Sequence, residues 1–172
     1  MRSPSPSKSP TRGASLLTER RHEVLPFTVT GVACALAGGL VAAVTAPAPT
    51  EHATWAAAYL VLVGGLAQAG LGLGQAMFTT RTSTPVVAVE VVGWNLGNAL
   101  VLVGTLLGIV ALVDLGGALL LVTLGLLTRG LAPARLRPLD GARRWCLYGY
   151  RLLMLILLVS IPVGLVLARA PT

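Results

Sequence analysis

The chain has 172 residues, of which 55% are hydrophobic and 11% charged, and its formal net charge is +7. A soluble domain carries about 25% charged residues, so this composition, with a mean hydropathy of +0.81, excludes a water-soluble globule and points to a membrane protein. The pI near 10.8 does not imply nucleic-acid binding, because the basic residues sit in the gaps between apolar runs, where membrane topology needs them.

Residues 1 to about 15, "MRSPSPSKSPTRGAS", have little to bury and are expected to be disordered. Residues 16–24, "LLTERRHEV", fit a short interfacial helix leading into the membrane. Residues 1–24 are therefore read as a basic, Ser/Pro-rich cytoplasmic tail, and residues 25–169 as a transmembrane domain.

Five apolar runs follow, at about 27–46, 54–78, 86–107, 110–128 and 145–168. Each has about the 17–25 residues that a helix needs to cross roughly 30 Å of hydrocarbon. Lipid offers backbone groups no water partner, so each run should be helical. The first run is too long for a signal-peptide core and is read as a retained span. Between runs three and four only Gly108 and a residue or two are available to turn, and no charge marks the bend.

Orientation follows from Lys and Arg. Arg2, Lys8, Arg12, Arg20 and Arg21 precede span one, Arg81 lies between spans two and three, and Arg129, Arg135, Arg137, Arg143 and Arg144 lie between spans four and five. Arg151 can snorkel to the same side, and Arg169 falls on the other. The positive-inside rule then gives N-in, C-out topology in the inner (plasma) membrane. The expected fold is an all-α, polytopic helix bundle with five transmembrane helices.

Span three carries "VEVVGWNLGN". At about 1.5 Å of rise per residue, Glu90 lies roughly 6 Å into the core, Trp94 and Asn95 near the middle, and Asn98 beyond them. Glu90, Trp94 and Asn98 are four apart and share one helical face, while Gly93, Gly97 and Gly104 form a narrow strip for a neighbouring helix. Gln68 and Gln75, seven apart on span two, share a face at about the level of Glu90. Asp114 on span four lies near the level of Asn98. Ionisable groups facing lipid are expensive, so the acids should point inward. Two polar layers are expected: Glu90 with Gln68 or Gln75, and Asp114 with Asn98.

These layers read first as glue between helices, where interhelical hydrogen bonds contribute about 0.6–2 kcal/mol each. The alternative is a proton or ion path through Glu90 and Asp114. His52, at the head of span two, reads first as an interfacial residue and alternatively as a haem ligand; His22 lies on the opposite side and cannot share one haem with it. Cys34 and Cys146 fall at different depths and are not expected to pair. There is no GxSxG, HExxH or CxxC, and "GLGLGQ" lies inside an apolar span rather than in a strand–turn–helix phosphate loop.

The order "PTEHATW", "GWNLGNALVLVGTLLG" and "LVDLGGALLLVTLGLLTRG", over residues 27–128, resembles small membrane proteins distantly related to subunit I of haem–copper oxidases and to NnrS-type proteins. The Ala/Gly/Leu/Val/Arg usage also resembles uncharacterised small multi-span membrane proteins of high-GC bacteria. The resemblance implies a shared bundle or an accessory role beside a respiratory complex. Those families use several intramembrane histidines for haem and copper, and only His52 matches such a position. The expectation is therefore a non-enzymatic accessory or assembly component of a membrane complex, without a cofactor. Its partners would be lipid and other membrane proteins or further copies of itself. A haem-binding redox protein and a small proton-coupled or ion-conducting protein are the alternatives.

Overall fold

The computed structural model describes residues 21–78, 83–129 and 141–167. The expectations for residues 1–20 and for the basic loop at 130–140 lie outside the described residues. The fold is all-α, with five helices long and apolar enough to cross a membrane, and this is a multi-pass membrane protein. They are α1 (Arg21–Thr45), α2 (Glu51–Phe78), α3 (Thr84–Leu107), α4 (Val110–Arg129) and α5 (Gly141–Leu167). Helix α1 begins at Arg21, so residues 21–24, assigned above to the tail, are already helical.

The helix ends follow from local chemistry. Thr50 caps α2, its hydroxyl accepting from the Ala53 N–H at 3.2 Å, and Glu51 in the first turn complements the positive helix end. Pro85 stands in the first turn of α3, where its missing N–H has no helical partner to lose. Gly108 ends α3 with φ +69°, in the left-handed region. The Ile109 N–H donates to the Gly104 carbonyl at 2.8 Å and the Gly108 N–H to that of Thr105 at 3.3 Å. This is a Schellman motif, and it reverses the chain in two residues without a charge or a proline.

Small residues set the helix order. On α1 and α2, a methyl at Gly31 would meet the Gly65 carbonyl at 3.0 Å, and one at Gly38 the Ala57 carbonyl at 2.8 Å. On α3 and α4, a methyl at Gly97 would meet Leu120 at 2.8 Å, and one at Gly116 the Gly97 carbonyl at 2.7 Å. The pairing runs antiparallel in both cases, giving two close-packed hairpins. Helix α5 leans on α2 where Tyr150 covers Gly74 and Leu153 covers Gly70, and on α4 where Leu165 covers Gly117. Lipid removes most of the hydrophobic drive between helices, so this close approach, with its dispersion contacts, is what holds them.

We call the face bearing Phe78, Ser83 and Arg129 the near face, and that bearing the turns at residues 46–50 and at Gly108 the far face. In the near half, Phe27, Leu71, Phe78, Val87, Leu124, Leu127, Leu147 and Tyr150 form one buried cluster. Outward, Val29, Val32, Leu36, Leu40 and Val44 of α1 are exposed, as are Leu152, Leu155, Ile156, Val159, Val163 and Val166 of α5. These faces suit hydrocarbon rather than water.

Helix α2 is not α-helical throughout. Leu60–Ala67 is π-helical, with α-helix on either side. The segment contains Gly64, Gly65 and Ala67, all buried, so the wider coil fits against α1 without displacing a large side chain. Nothing in the hydropathy of "LVLVGGLA" signals it.

Candidate functional site: polar pairs and a far-half cleft

Among the described residues, side-chain hydrogen bonds tie helices together at three levels inside the bundle. Nearest the near face, the Gln75 amide of α2 donates to the Glu90 carboxyl of α3. Both side chains are buried. At mid-height, the Gln68 amide donates to the Thr30 hydroxyl of α1. Thr30 in turn donates to the Pro26 carbonyl at 2.6 Å, so the proline region of α1 is linked to α2 through one hydroxyl. Toward the far face, the Tyr59 hydroxyl donates to Asn98 Oδ1 at 2.7 Å, and Asn98 Nδ2 donates to the Trp94 carbonyl at 2.8 Å.

The face of α3 bearing Glu90, Trp94 and Asn98 is buried as a unit. Glu90 faces α2, so of the two glutamines at its level Gln75 is the partner. Gln68 turns to α1, to Thr30, a residue that depth and spacing do not single out. The expected Asp114–Asn98 pair is replaced: the Asn98 amide is engaged by Tyr59 and by its own helix, and Asp114 sits half-buried near the start of α4. Tyr59 stands in the far half of α2, and its polar tip reaches inward to Asn98 rather than to the interface. Asn95 lies off the shared face, and its amide donates to the Val91 carbonyl at 2.8 Å.

Trp94 is fully buried, and its indole N–H has no acceptor among the described residues. The ring forms part of the wall of a cleft of about 440 Å³ in the far half of the bundle. Trp55, Tyr59 and Val63 line it from α2, Val101 and Thr105 from α3, Gly117 and Leu120 from α4, and Ile161 and Gly164 from α5. Helix α5 packs on α2 through Tyr150 and Leu153 and on α4 through Leu165, and carries Pro162 between these contacts. Proline withholds the N–H that the Leu158 carbonyl would otherwise receive, and this weakens the helix there.

His52 is exposed on the first turn of α2 and is not part of the cleft wall. Met77 stands at the other end of the same helix, about 37 Å away at 1.5 Å per residue, and Met154 is buried with the near-half core. The described residues therefore give His52 no second axial ligand for a haem. Among them, no three His, Cys, Asp or Glu side chains cluster as a metal site would require. Cys34 is half-buried against Gly64, Cys146 is exposed on α5, and both are free thiols.

No protein-family model, no curated protein and no solved structure matches this chain.

Proposed function

We propose that this protein is a non-enzymatic accessory or assembly component of a plasma-membrane complex, with its amino terminus in the cytoplasm and its carboxyl terminus outside. The observation that supports this reading is where the polar groups go. Gln75–Glu90, Gln68–Thr30 and Tyr59–Asn98 each join two helices, which is the use that lipid-embedded amides and hydroxyls serve as interhelical glue. They fix α1, α2 and α3 into one block and leave the apolar outer faces of α1 and α5 for lateral contact. The weak resemblance to small membrane proteins distantly related to haem–copper oxidase subunit I implies, at most, a shared bundle or such an accessory role.

The test is the size of the particle extracted in mild detergent. The tagged protein is expected to migrate on native gels and in light scattering as an assembly several times its own 17.7 kDa mass, together with defined partner chains. A particle no larger than one chain plus its detergent, with proton flux in liposomes that is lost in Glu90→Gln, would replace this reading with the conducting one. Topology is tested separately with a phosphatase reporter fused after Thr172. Activity outside the cytoplasm is expected, and a reporter active only inside would overturn the orientation.

A further inference from the structure

The far-half cleft has the character of a ligand site rather than a packing fault. Its volume of about 440 Å³ falls in the usual range of about 300–1,000 Å³ for small-molecule pockets. Three aromatic rings stand on its walls. Trp55 and Tyr59 stack with centroids 5.1 Å apart, and Trp94 faces the cleft from α3. Most of the polar groups on the wall are already engaged. Tyr59 donates to Asn98, Thr105 to the Val101 carbonyl at 2.8 Å, and Ser160 to the Leu157 carbonyl at 3.2 Å. The Trp94 N–H is left over. A buried donor without an acceptor is costly, and in lipid no water is at hand to meet it.

Glycine keeps the cleft open. Gly164 lies on the wall, and a methyl added there would touch nothing within 4 Å. The wall is also adjustable. Val63 belongs to the π-helical segment of α2, and such segments are frequent at functional sites. Pro162 weakens the hydrogen bonding of α5 next to Ile161 and Gly164, which line the cleft.

We infer that the cleft binds an uncharged, lipid-soluble molecule carrying a carbonyl on a flat ring, with the ring against Trp55, Tyr59 and Trp94 and the carbonyl oxygen accepting from the Trp94 indole. The depth of Trp94 separates this occupant from a phospholipid. Trp94 lies 13 residues before Leu107, about 20 Å from the far end of α3. A phospholipid's ester carbonyls stay at the interface and would bring only hydrocarbon to that level, leaving the indole unmet. A ring carbonyl on an apolar molecule can enter the hydrocarbon core. Aromatic faces offer a ring offset-stacked and edge contacts that a plain chain does not use. The indole N–H is itself enclosed, so the inferred binding includes a turn of the Trp94 ring toward the incoming oxygen. This inference stands whether or not the chain works inside a larger assembly.

The probe is a decyl-substituted benzoquinone, which quenches tryptophan, titrated into the full chain in nanodiscs. The tryptophans are Trp55, Trp94 and Trp145, and Trp145 is exposed near the near-face start of α5, outside the cleft. A variant retaining Trp94 alone (W55F/W145F) is expected to lose its emission along a saturating curve. A variant retaining Trp145 alone (W55F/W94F) should show only the linear loss due to partitioning into the bilayer. Gly164→Leu fills the cleft and should weaken the saturable phase at least tenfold. Gly149→Leu, on an exposed face where an added methyl also meets nothing, should leave it unchanged. Linear quenching of Trp94 equal to that of Trp145 overturns the inference, as does a saturable phase untouched by Gly164→Leu. A second arm uses phosphatidylcholine with brominated chains. Saturable quenching of Trp94 by that lipid, with displacement of the quinone, would make the occupant a hydrocarbon chain and refute the ring carbonyl.

Discussion

Replacing Glu90 by Gln and by Ala should have very different costs. Gln75 donates to the Glu90 carboxyl inside the bundle, and a glutamine at 90 keeps an acceptor oxygen in the same place. Glu90→Gln should therefore change stability by less than about 1 kcal/mol. Glu90→Ala removes that acceptor and the buried hydrogen bond it makes with Gln75, at a cost of about 1–3 kcal/mol. In a chain of this length about 1 kcal/mol moves the midpoint by roughly 2–4 °C. The alanine variant should therefore melt about 5 °C below wild type, and the glutamine variant within about 2 °C of it. Gln75→Leu combined with Glu90→Ala should cost less than the sum of the two singles, by a coupling of about 0.6–1.7 kcal/mol, the range of measured interhelical bonds. The structure supplies the reporter. Cys34 is half-buried between α1 and α2, whereas Cys146 is exposed. In a Cys146→Ser background a thiol-reactive fluorophore reads the opening of the bundle through Cys34 alone. Equal midpoints for Glu90→Gln and Glu90→Ala, or strict additivity in the double variant, would refute the account of this pair as glue.

Other outcomes follow from the same geometry. Gly116→Ala places a methyl 2.7 Å from the Gly97 carbonyl, which is backbone and cannot swing aside, whereas Gly125→Ala meets nothing within 4 Å; by the same thiol assay the first should destabilise by about 1–3 kcal/mol and the second should not. Tyr59→Phe removes the donor to Asn98 and should cost about 0.6–2 kcal/mol, with no further loss when Asn98→Ala is added beyond what Asn98→Ala costs through its bond to Trp94. The purified protein should show no Soret band, oxidised or reduced. A stoichiometric band abolished by His52→Ala would establish a haem despite the exposed position of that residue.

The five helices were legible because the hydrocarbon core imposes a length, and a soluble fold seldom needs five runs of about 20 mostly apolar residues with so few charges. The face of α3 was legible for an equally simple reason: Glu90, Trp94 and Asn98 recur every four residues, and all three are buried. The glycine strip on α3 is the seam its spacing implies, and it meets Thr123, Leu120 and Val113 of α4. Partner choice was not legible. Depth along a helix places two groups at one level, but the rotation of the neighbouring helix decides whether they face each other. On α2 that rotation is altered by the π-helical segment, whose i to i+5 bonding changes the angular step between Tyr59 and Gln68. An α-helical projection continued through it cannot give the correct relative direction of the residues on either side. Thr30 is inconspicuous because a hydroxyl that can bond to its own helix, as this one does at Pro26, looks like a filler in an apolar run. The cleft has no signature either, since residues of four helices line it together and none of them marks it in the sequence.

The two glycine seams have a consequence for how the chain is made. Each joins helices that are consecutive in sequence and separated by a turn of a few residues, so each seam closes locally and needs nothing synthesised later. Low sequence separation favours rapid, independent formation. The α1–α2 pair can settle while the remainder is still in the ribosome, and α3–α4 can follow in the same way. Helix α5 packs on α4, but residues 130–140 separate the two in sequence, rather than the few residues that join each seam. Its neighbours α2 and α4 are complete before it emerges, so the wall that closes the cleft is added last, to a scaffold already formed.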